Sequence, residues 1–453
     1  MTIHDTVLAQ REYFLSAATL GIDFRKRMLR SLLEALGKYE EQLYAALWTD
    51  LHKSREEAYM TEISIVKGEI RDALKNIGRW TARKRVRTPL TCLPSRSYIV
   101  TEPLGVALIV APWNYPVQLL LNPLVGAIAA GCTAVLKTSP AVPAVAEVLR
   151  KLIEDTFEPR YVALFQGHRE VNEALFKEKY DLIFLTGSPS LGKVAMRAAA
   201  ENLTPVVLEL GGKSPCIVDR DADIALAARR IAWGKSLNCG QTCIAPDYLM
   251  LSQEIKRQFI EEFARAVSEL YADGVMESPH YVRVVSDKAF DRLENYLSDG
   301  KIVYGGERDR ATRFFGPTLL DEVSPDSPVM TEEIFGPIFP IMTFSSREEA
   351  INFINARPKP LALYYFGKRS AGREILRRTS SGGACINDTI MHIANSGLPF
   401  GGVGNSGMGR YHGKESLLAF SHRRSVLDTP GCIDLPLRYM PYKLFPLIKK
   451  LLR

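Results

Sequence analysis

The sequence has no disulfide framework, no low-complexity segment and no apolar run long enough to cross a membrane, and each absence removes a class of protein. Seven cysteines, an odd number spread over 453 residues, do not make the paired scaffold of a secreted domain. A reduced, cytoplasmic setting fits them better. Gly 32 and Pro 26 lie near background, which excludes collagen-like character. The start, Met1 to Phe14, carries Asp5, Arg11 and Glu12 among its apolar residues, and so lacks a signal-peptide pattern. Between Pro103 and Leu136 there is no charged residue. Pro112, Asn114, Pro116, Gln118, Asn122 and Pro123 nevertheless break that stretch well short of the ~20 apolar residues that a membrane span requires.

What remains is an ordinary globular composition, 46% hydrophobic and 24% charged, with length for roughly three domains. The net charge of +7 is uneven. From Asp434 to Arg453 five basic residues stand against one acidic, which puts +4 on the tail and +3 on the body. A body at +3 is no nucleic-acid footprint, and the run Arg83–Arg87 reads as a solvated turn.

The first eighty residues read as helices, with Leu29, Leu32, Leu33 and Leu36 at helical spacing. From Tyr98 onward short β-rich runs alternate with helical ones. The uncharged stretch resolves into a buried strand at Gly105–Val110, a helix near Val117–Ala130 and a strand at Thr133–Leu136. Further strands fall at Leu182–Leu185, Val206–Leu208, Cys216–Val218 and Tyr248–Leu251, with helices after Pro143 and Pro189 and from Ala222 to about Lys235. This rhythm predicts an α/β fold on mainly parallel sheets.

Two glycine patterns compete for a dinucleotide. Gly402-Val403-Gly404-Asn405-Ser406-Gly407 matches G-x-G-x-x-G formally, but no clear strand precedes it and no helix opens inside it. Gly187-Ser188-Pro189-Ser190-Leu191-Gly192 follows an apolar strand and opens a helix, the arrangement that aims backbone N–H groups at a pyrophosphate, although its spacing departs from the usual fingerprint.

The segment Trp233–Cys243 is polar and glycine-containing and holds Cys239 and Cys243 four apart. No neighbouring His or Cys completes a zinc set, so no metal is expected. A cysteine on such a loop is either a small buried hydrophobe or an accessible nucleophile. Glu209 closes the apolar run Val206–Leu208 ahead of Gly211-Gly212, and is either a base or the partner of a nearby lysine such as Lys213.

Taken together, the motifs Ala111-Pro112-Trp113-Asn114-Tyr115-Pro116, Thr186-Gly187-Ser188, Leu208-Glu209-Leu210-Gly211-Gly212-Lys213, Gly240-Gln241-Thr242-Cys243, Glu332-Glu333-Ile334-Phe335-Gly336-Pro337 and Pro399-Phe400-Gly401-Gly402 occur in one order over essentially the whole chain. The chain resembles the NAD(P)-dependent aldehyde dehydrogenase superfamily. The short N-terminus and the run Ser406–Gly413 are most similar to its class 3 branch, which includes fatty aldehyde dehydrogenases.

The resemblance implies that Cys243 attacks an aldehyde, that the Asn114 amide and the Cys243 N–H form an oxyanion hole, and that Glu209 activates water against the resulting thioester. It implies a cofactor, NAD or NADP, held by Lys137, Gly187, Ser188, Gly192, Leu210, Glu333, Phe335 and Trp113, with Glu333 as a second candidate base. Gly402–Gly407 then becomes a structural turn. The implied fold is a Rossmann-like cofactor domain (1–83, 104–210 and 406–420), a catalytic domain (211–405), and an arm (84–103 with 421–433) that pairs two subunits into a homodimer. An acylating enzyme that passes the acyl group to coenzyme A or phosphate, and a non-enzymatic structural protein on this scaffold, are the alternatives.

Three features stand outside the resemblance. Pro140 occupies a position where the family often has an acidic residue, which predicts mixed cofactor use. Cys239 brings a second thiol close to the nucleophile in sequence. The tail 434–453 puts Leu444, Phe445, Leu447, Ile448, Leu451 and Leu452 on one helical arc opposite Lys443, Lys449, Lys450 and Arg453. It reads either as a helix packed on a subunit or as a peripheral contact with a membrane surface.

Overall fold

The computed structural model describes residues 1–434 and 439–451; Arg438, Leu452 and Arg453 of the tail lie outside the described residues. The apolar spacing near the N-terminus becomes two helices, Ile22–Lys38 and Glu40–Leu51, which bury Leu29, Leu32 and Leu36, and Leu43 and Leu47.

The uncharged stretch lies at the centre of the first sheet. Strands Val106–Val110 and Thr133–Lys137 are buried at every position, as is helix Gln118–Ala130 between them, because a parallel sheet covered on both faces leaves no polar side. This sheet has six strands, in the order Gly407–Met408, Val206–Leu210, Leu182–Gly187, Val106–Val110, Thr133–Lys137, Val162–Phe165. All pair in parallel except the first, which returns antiparallel onto Glu209 and Leu208. The chain enters at Val106–Val110, builds outward to Val162–Phe165, then crosses back to Leu182–Gly187 on the other side. The strand order therefore reverses between Val110 and Leu185, which face each other in register. Open α/β sheets bind ligands outside the carboxyl ends of the strands at such a reversal.

Gly211 and Gly212 carry the chain from this sheet into a second one of seven strands, ordered Lys301–Tyr304, Thr318–Asp321, Ile338–Phe344, Tyr248–Ser252, Pro215–Val218, Ala362–Phe366, Gly383–Ile386. It is parallel throughout except at its first pair.

Lys84–Val86, Arg96–Pro103 and Ser421–Asp428 form a third, antiparallel sheet, largely solvent-exposed. The centre of the basic run Arg83–Arg87, Lys84–Val86, is thus an exposed edge strand and not a turn. Arg83 lies over the Tyr98 ring, 4.5 Å from its centroid. Three residues, two of them adjacent cations, carry too little pattern to announce a strand, and the pairing with Ser97–Ile99 decides it.

Candidate active site

Three of the sequence motifs leave adjacent strands at their carboxyl ends. Trp113 and Asn114 follow Val106–Val110, Thr186 and Gly187 end Leu182–Gly187, and Glu209 and Leu210 end Val206–Leu210. Glu209 stands opposite Thr186 across the sheet, inside its strand and not beyond it. Cys243 arrives on a loop after helix Ile224–Ser236, and Glu333 and Phe335 arrive on the loop before Ile338–Phe344. Asn114, Glu209 and Cys243 line one cavity of about 190 Å³. Trp113, Gly187, Ser188, Leu210, Glu333 and Phe335 line the same cavity. Gly192 and Leu210 line a neighbouring cavity with Gly404 and Asn405, which places the glycine cluster near 402–407 at the rim of this region. Lys137 stands apart and lines neither. It is buried at the end of its strand, its ammonium donating to the Thr138 and Gly167 carbonyls at 2.6 and 2.8 Å. Burial pushes that ammonium down to about 8.

The nucleophile loop turns through three consecutive left-handed residues, Asn238, Cys239 and Gly240, at φ 53°, 54° and 70°. Non-glycine residues in that region cost on the order of 1–2 kcal/mol each, so hydrogen bonds must hold the turn. Gln241 Nε2 donates to the Asn238 and Arg283 carbonyls, and its Oε1 accepts from the Val285 N–H at 2.9 Å. The Gln241 carbonyl accepts from the side-chain amides of both Asn114 and Asn238 at 3.0 Å. One N–H of the Asn114 amide is thereby tied to the loop, and the second is left for an oxygen in the cavity. Gly240 has to be glycine, since a Cβ there would lie 2.3 Å from the Gly336 carbonyl.

The turn sends the two thiols in opposite directions. Cys243 is partly exposed and lines the cavity, whereas Cys239 is fully buried, its S–H donating towards Tyr281 Oη at 3.6 Å and the Phe315 carbonyl at 3.7 Å. The second thiol, near in sequence, does not line the cavity. Burial pushes the Cys243 thiol well up, and the neighbouring carboxylates of Glu333 and Glu209 push the same way.

Glu209 is buried, and neither of its oxygens finds a hydrogen-bond partner among the described residues. Burial drives its carboxyl well above the ordinary range. The ion-pair alternative for Glu209 is overturned, because Lys213 pairs with Asp247 and donates to the Val329 and Glu332 carbonyls. Glu333 is pushed up to about 8 by burial and by Asp247, against the opposing Gly212 N–H, Lys213 and Arg292. Its carboxylate leans on Gly211, where a Cβ would fall 2.0 Å from Oε2. Phe335 adopts a left-handed φ of 48° and sets its ring edge-on to Trp113, centroids 5.4 Å apart.

These residues fit a dinucleotide. Thr186 Oγ1 lines the cavity without a partner among the described residues, and Glu333 adds an acceptor for hydroxyls. The helix Pro189–Ala200 opens on the same cavity, with Ser188 as its cap, and its first-turn N–H groups suit a phosphate.

Sequence reading passed over one group beside this site. Lys53, Glu57 and Glu62 are buried behind Asn114 and the nucleophile loop. A cation and two carboxylates in an otherwise helical segment were the only available signal.

Residues 2–426 match the aldehyde dehydrogenase family. The chain is 46% identical over 436 residues to a 4,4'-diaponeurosporen-aldehyde dehydrogenase of Staphylococcus aureus, across 96% of this chain and 95% of that one. It is 44% identical over 444 residues to aldehyde dehydrogenase family 3 member B1 of Mus musculus, across 97% and 95%. Among solved structures, the substrate-bound state of Staphylococcus aureus AldH matches with a TM-score of 0.98 at 44% identity, covering 100% of both chains.

Proposed function

The chain belongs to the aldehyde dehydrogenase family, in its class 3 branch, and on that premise we propose which of its residues turn an aldehyde into a carboxylic acid. The enzyme is an aldehyde dehydrogenase that uses NAD or NADP. The Cys243 thiol gives its proton to water, and the thiolate Sγ adds to the aldehyde carbon to form a thiohemiacetal. Charge that develops on the former carbonyl oxygen is met by the free N–H of Asn114 and the backbone N–H of Cys243. When bound, the nicotinamide cofactor supplies the hydride acceptor. Loss of hydride leaves a thioester on Cys243. Glu209, once ionised, takes a proton from a water that attacks the thioester carbon. The acid leaves and the thiolate is regenerated. Glu333, Trp113 and Phe335 would hold the nicotinamide end, the turn Gly187–Gly192 with Ser188 and Leu210 would hold the diphosphate, and Lys137 would hold the adenosine ribose.

The observation that carries this reading is the meeting of Cys243, Asn114 and an unpartnered Glu209 in one cavity. Glu209 also counts against transfer of the acyl group to coenzyme A, since a carboxylate aimed at the thioester serves water. Initial rates with an aldehyde and NAD+ or NADP+, with and without coenzyme A, test both points. Acid is expected as the product at a rate that coenzyme A does not change; an acyl-coenzyme A product would contradict the reading.

The same assay checks cofactor preference. A carboxylate beside the adenosine ribose would accept from its 2′-hydroxyl and repel a 2′-phosphate, and Pro140, exposed after the Lys137 strand, does neither. We expect kcat/KM for the two cofactors to agree within about a hundredfold, or ~2.7 kcal/mol.

A homodimer is part of this proposal. Ser421–Asp428 is an exposed strand at the edge of its sheet, and such an edge invites pairing with a second chain. A membrane contact through the tail is the other part. The helix Phe445–Leu451 takes Pro446 in its first turn, and Leu444, Phe445 and Leu447 are exposed. Lys449 and Lys450 are exposed beside them. Each basic side chain adds on the order of 1 kcal/mol near an anionic surface, enough for weak and reversible binding. Among the described residues no helix is long and apolar enough to cross a membrane. Deleting Tyr442–Arg453 is expected to reduce co-sedimentation with anionic liposomes and to lower activity on long-chain aldehydes more than on short ones. Unchanged sedimentation with an equal loss at all chain lengths would leave only a packing role.

A further inference from the structure

The Asn114 amide and the Cys243 loop are joined from behind by charges that never reach the cavity. Lys53 and Glu62 have no exposed side-chain surface and pair at 2.7 Å. The Lys53 ammonium also donates to the Asn114 carbonyl at 3.1 Å and sits 4.3 Å from the centroid of the Tyr115 ring. Its three N–H groups are thus spent on a carboxylate, a carbonyl and a ring face. The other Glu62 oxygen accepts from the Val117 N–H at 2.8 Å, at the start of the helix that follows Asn114. Glu62 lies on a π-helical turn, Tyr59–Ile63, a local widening of the kind found at functional sites. On the other side, Glu57 accepts from the Asn238 N–H at 2.9 Å, the first residue of the left-handed turn. The Asn238 side chain closes the ring by donating to the carbonyls of Asn114 and Gln241, at 2.9 and 3.0 Å.

We propose that Lys53, Glu62 and Glu57 are positioning residues that fix the Asn114 amide relative to the Cys243 loop and so set the oxyanion hole before substrate arrives. The inference rests on the reading of Cys243 and Asn114 given above. A buried ion pair is a weak source of stability, because its desolvation cost rivals its attraction, and apolar residues of similar size often serve as well. What apolar residues could not do is grip the Asn114 carbonyl and the Asn238 N–H at once. Those two bonds fix the backbone at both partners of the shared Gln241 carbonyl. A misplacement of about 1 Å in such a constellation costs on the order of a hundredfold in rate.

The test separates geometry from folding. The double variant Lys53→Met with Glu62→Gln removes both members of the ion pair together, and the retained Gln oxygen still accepts from Val117. Glu57→Leu removes the acceptor for Asn238, and Glu57→Gln keeps it. Two rates are measured on the full-length enzyme: NAD(P)H formation in a single turnover, which needs the oxyanion hole, and alkylation of Cys243 by iodoacetamide, which builds no oxyanion. The double variant and Glu57→Leu are expected to slow the single turnover by about thirtyfold or more while alkylation stays within about threefold of wild type. Glu57→Gln is expected to stay near wild type in both. A single turnover within about threefold of wild type in the double variant would overturn the proposal, as would equal losses in turnover and alkylation, which would put the defect in the thiol and not in the oxyanion hole, or a lost turnover with alkylation accelerated beyond threefold, the signature of general unfolding. Asn114→Ala serves as the control: if it turned over at the wild-type rate, the oxyanion assignment itself would fall.

Discussion

Cys243→Ala is expected to abolish aldehyde oxidation, with a loss of at least ~10⁴-fold, because removal of a covalent nucleophile from an intact site costs up to about 10⁶-fold. Cys243 brings the only thiol among the described residues lining the cavity. Cys239 cannot replace it. Its sulfur is buried among Tyr281 and Phe315, and burial pushes its thiol up to about 12. Cys239→Ala therefore serves as the matched control and should keep dehydrogenase activity. Thr186 and Ser188 also line the cavity, but among the described residues Thr186 Oγ1 has no hydrogen-bond partner and Ser188 Oγ meets only Ser190 Oγ and the Leu191 N–H, so neither is paired with a base. Steady-state NAD(P)H formation by the two variants checks the assignment. Near wild-type activity in Cys243→Ala would refute it.

Glu209→Gln is expected to split the reaction. The amide has the volume of the carboxyl, and the carboxyl makes no hydrogen bond among the described residues that the amide would lose. The fold and the first half-reaction should therefore survive, whereas the thioester loses the base that activates water. Rapid mixing should show a burst of NAD(P)H close to the enzyme concentration. A steady state reduced by about 10²–10⁴ should follow, the usual worth of a positioned general base. The pH dependence has a definite sign. Burial raises the Glu209 carboxyl well above the ordinary carboxylate range, so the ionised base grows as pH rises beyond that range and wild-type deacylation should accelerate with it. That rise should be missing from the steady state of Glu209→Gln.

The fold was legible wherever apolar residues ran without interruption. Strands buried on both faces announce themselves by composition, and the uncharged stretch after Pro103 yielded its strands and helix within a residue or so. The strand Lys84–Val86 was missed because three exposed residues carry no hydrophobic signal and exist as a strand only through their partner. Cys243, Glu209 and Asn114 were legible because each sits in a short motif whose neighbours are glycines, prolines or aromatics. The orientation of Cys239 was not, since it depends on a reversal of backbone hand at Asn238 that no spacing encodes. Whether Glu209 was paired with Lys213 could not be settled by proximity in sequence; Asp247, on a different strand connection, takes the lysine. The buried group Lys53, Glu57 and Glu62 was invisible for a related reason. Its partners, Asn114 and Asn238, come from distant segments, and on a helix these charges look like a solvated face.

The most direct test of the account is the mass of the enzyme in mid-reaction. Glu209→Gln, mixed with an aldehyde and NAD(P)+ and quenched in acid after the burst, should carry one acyl group per chain, and peptide mapping should place it on Cys243. A burst with no acyl adduct, or an adduct on any residue other than Cys243, would contradict the account.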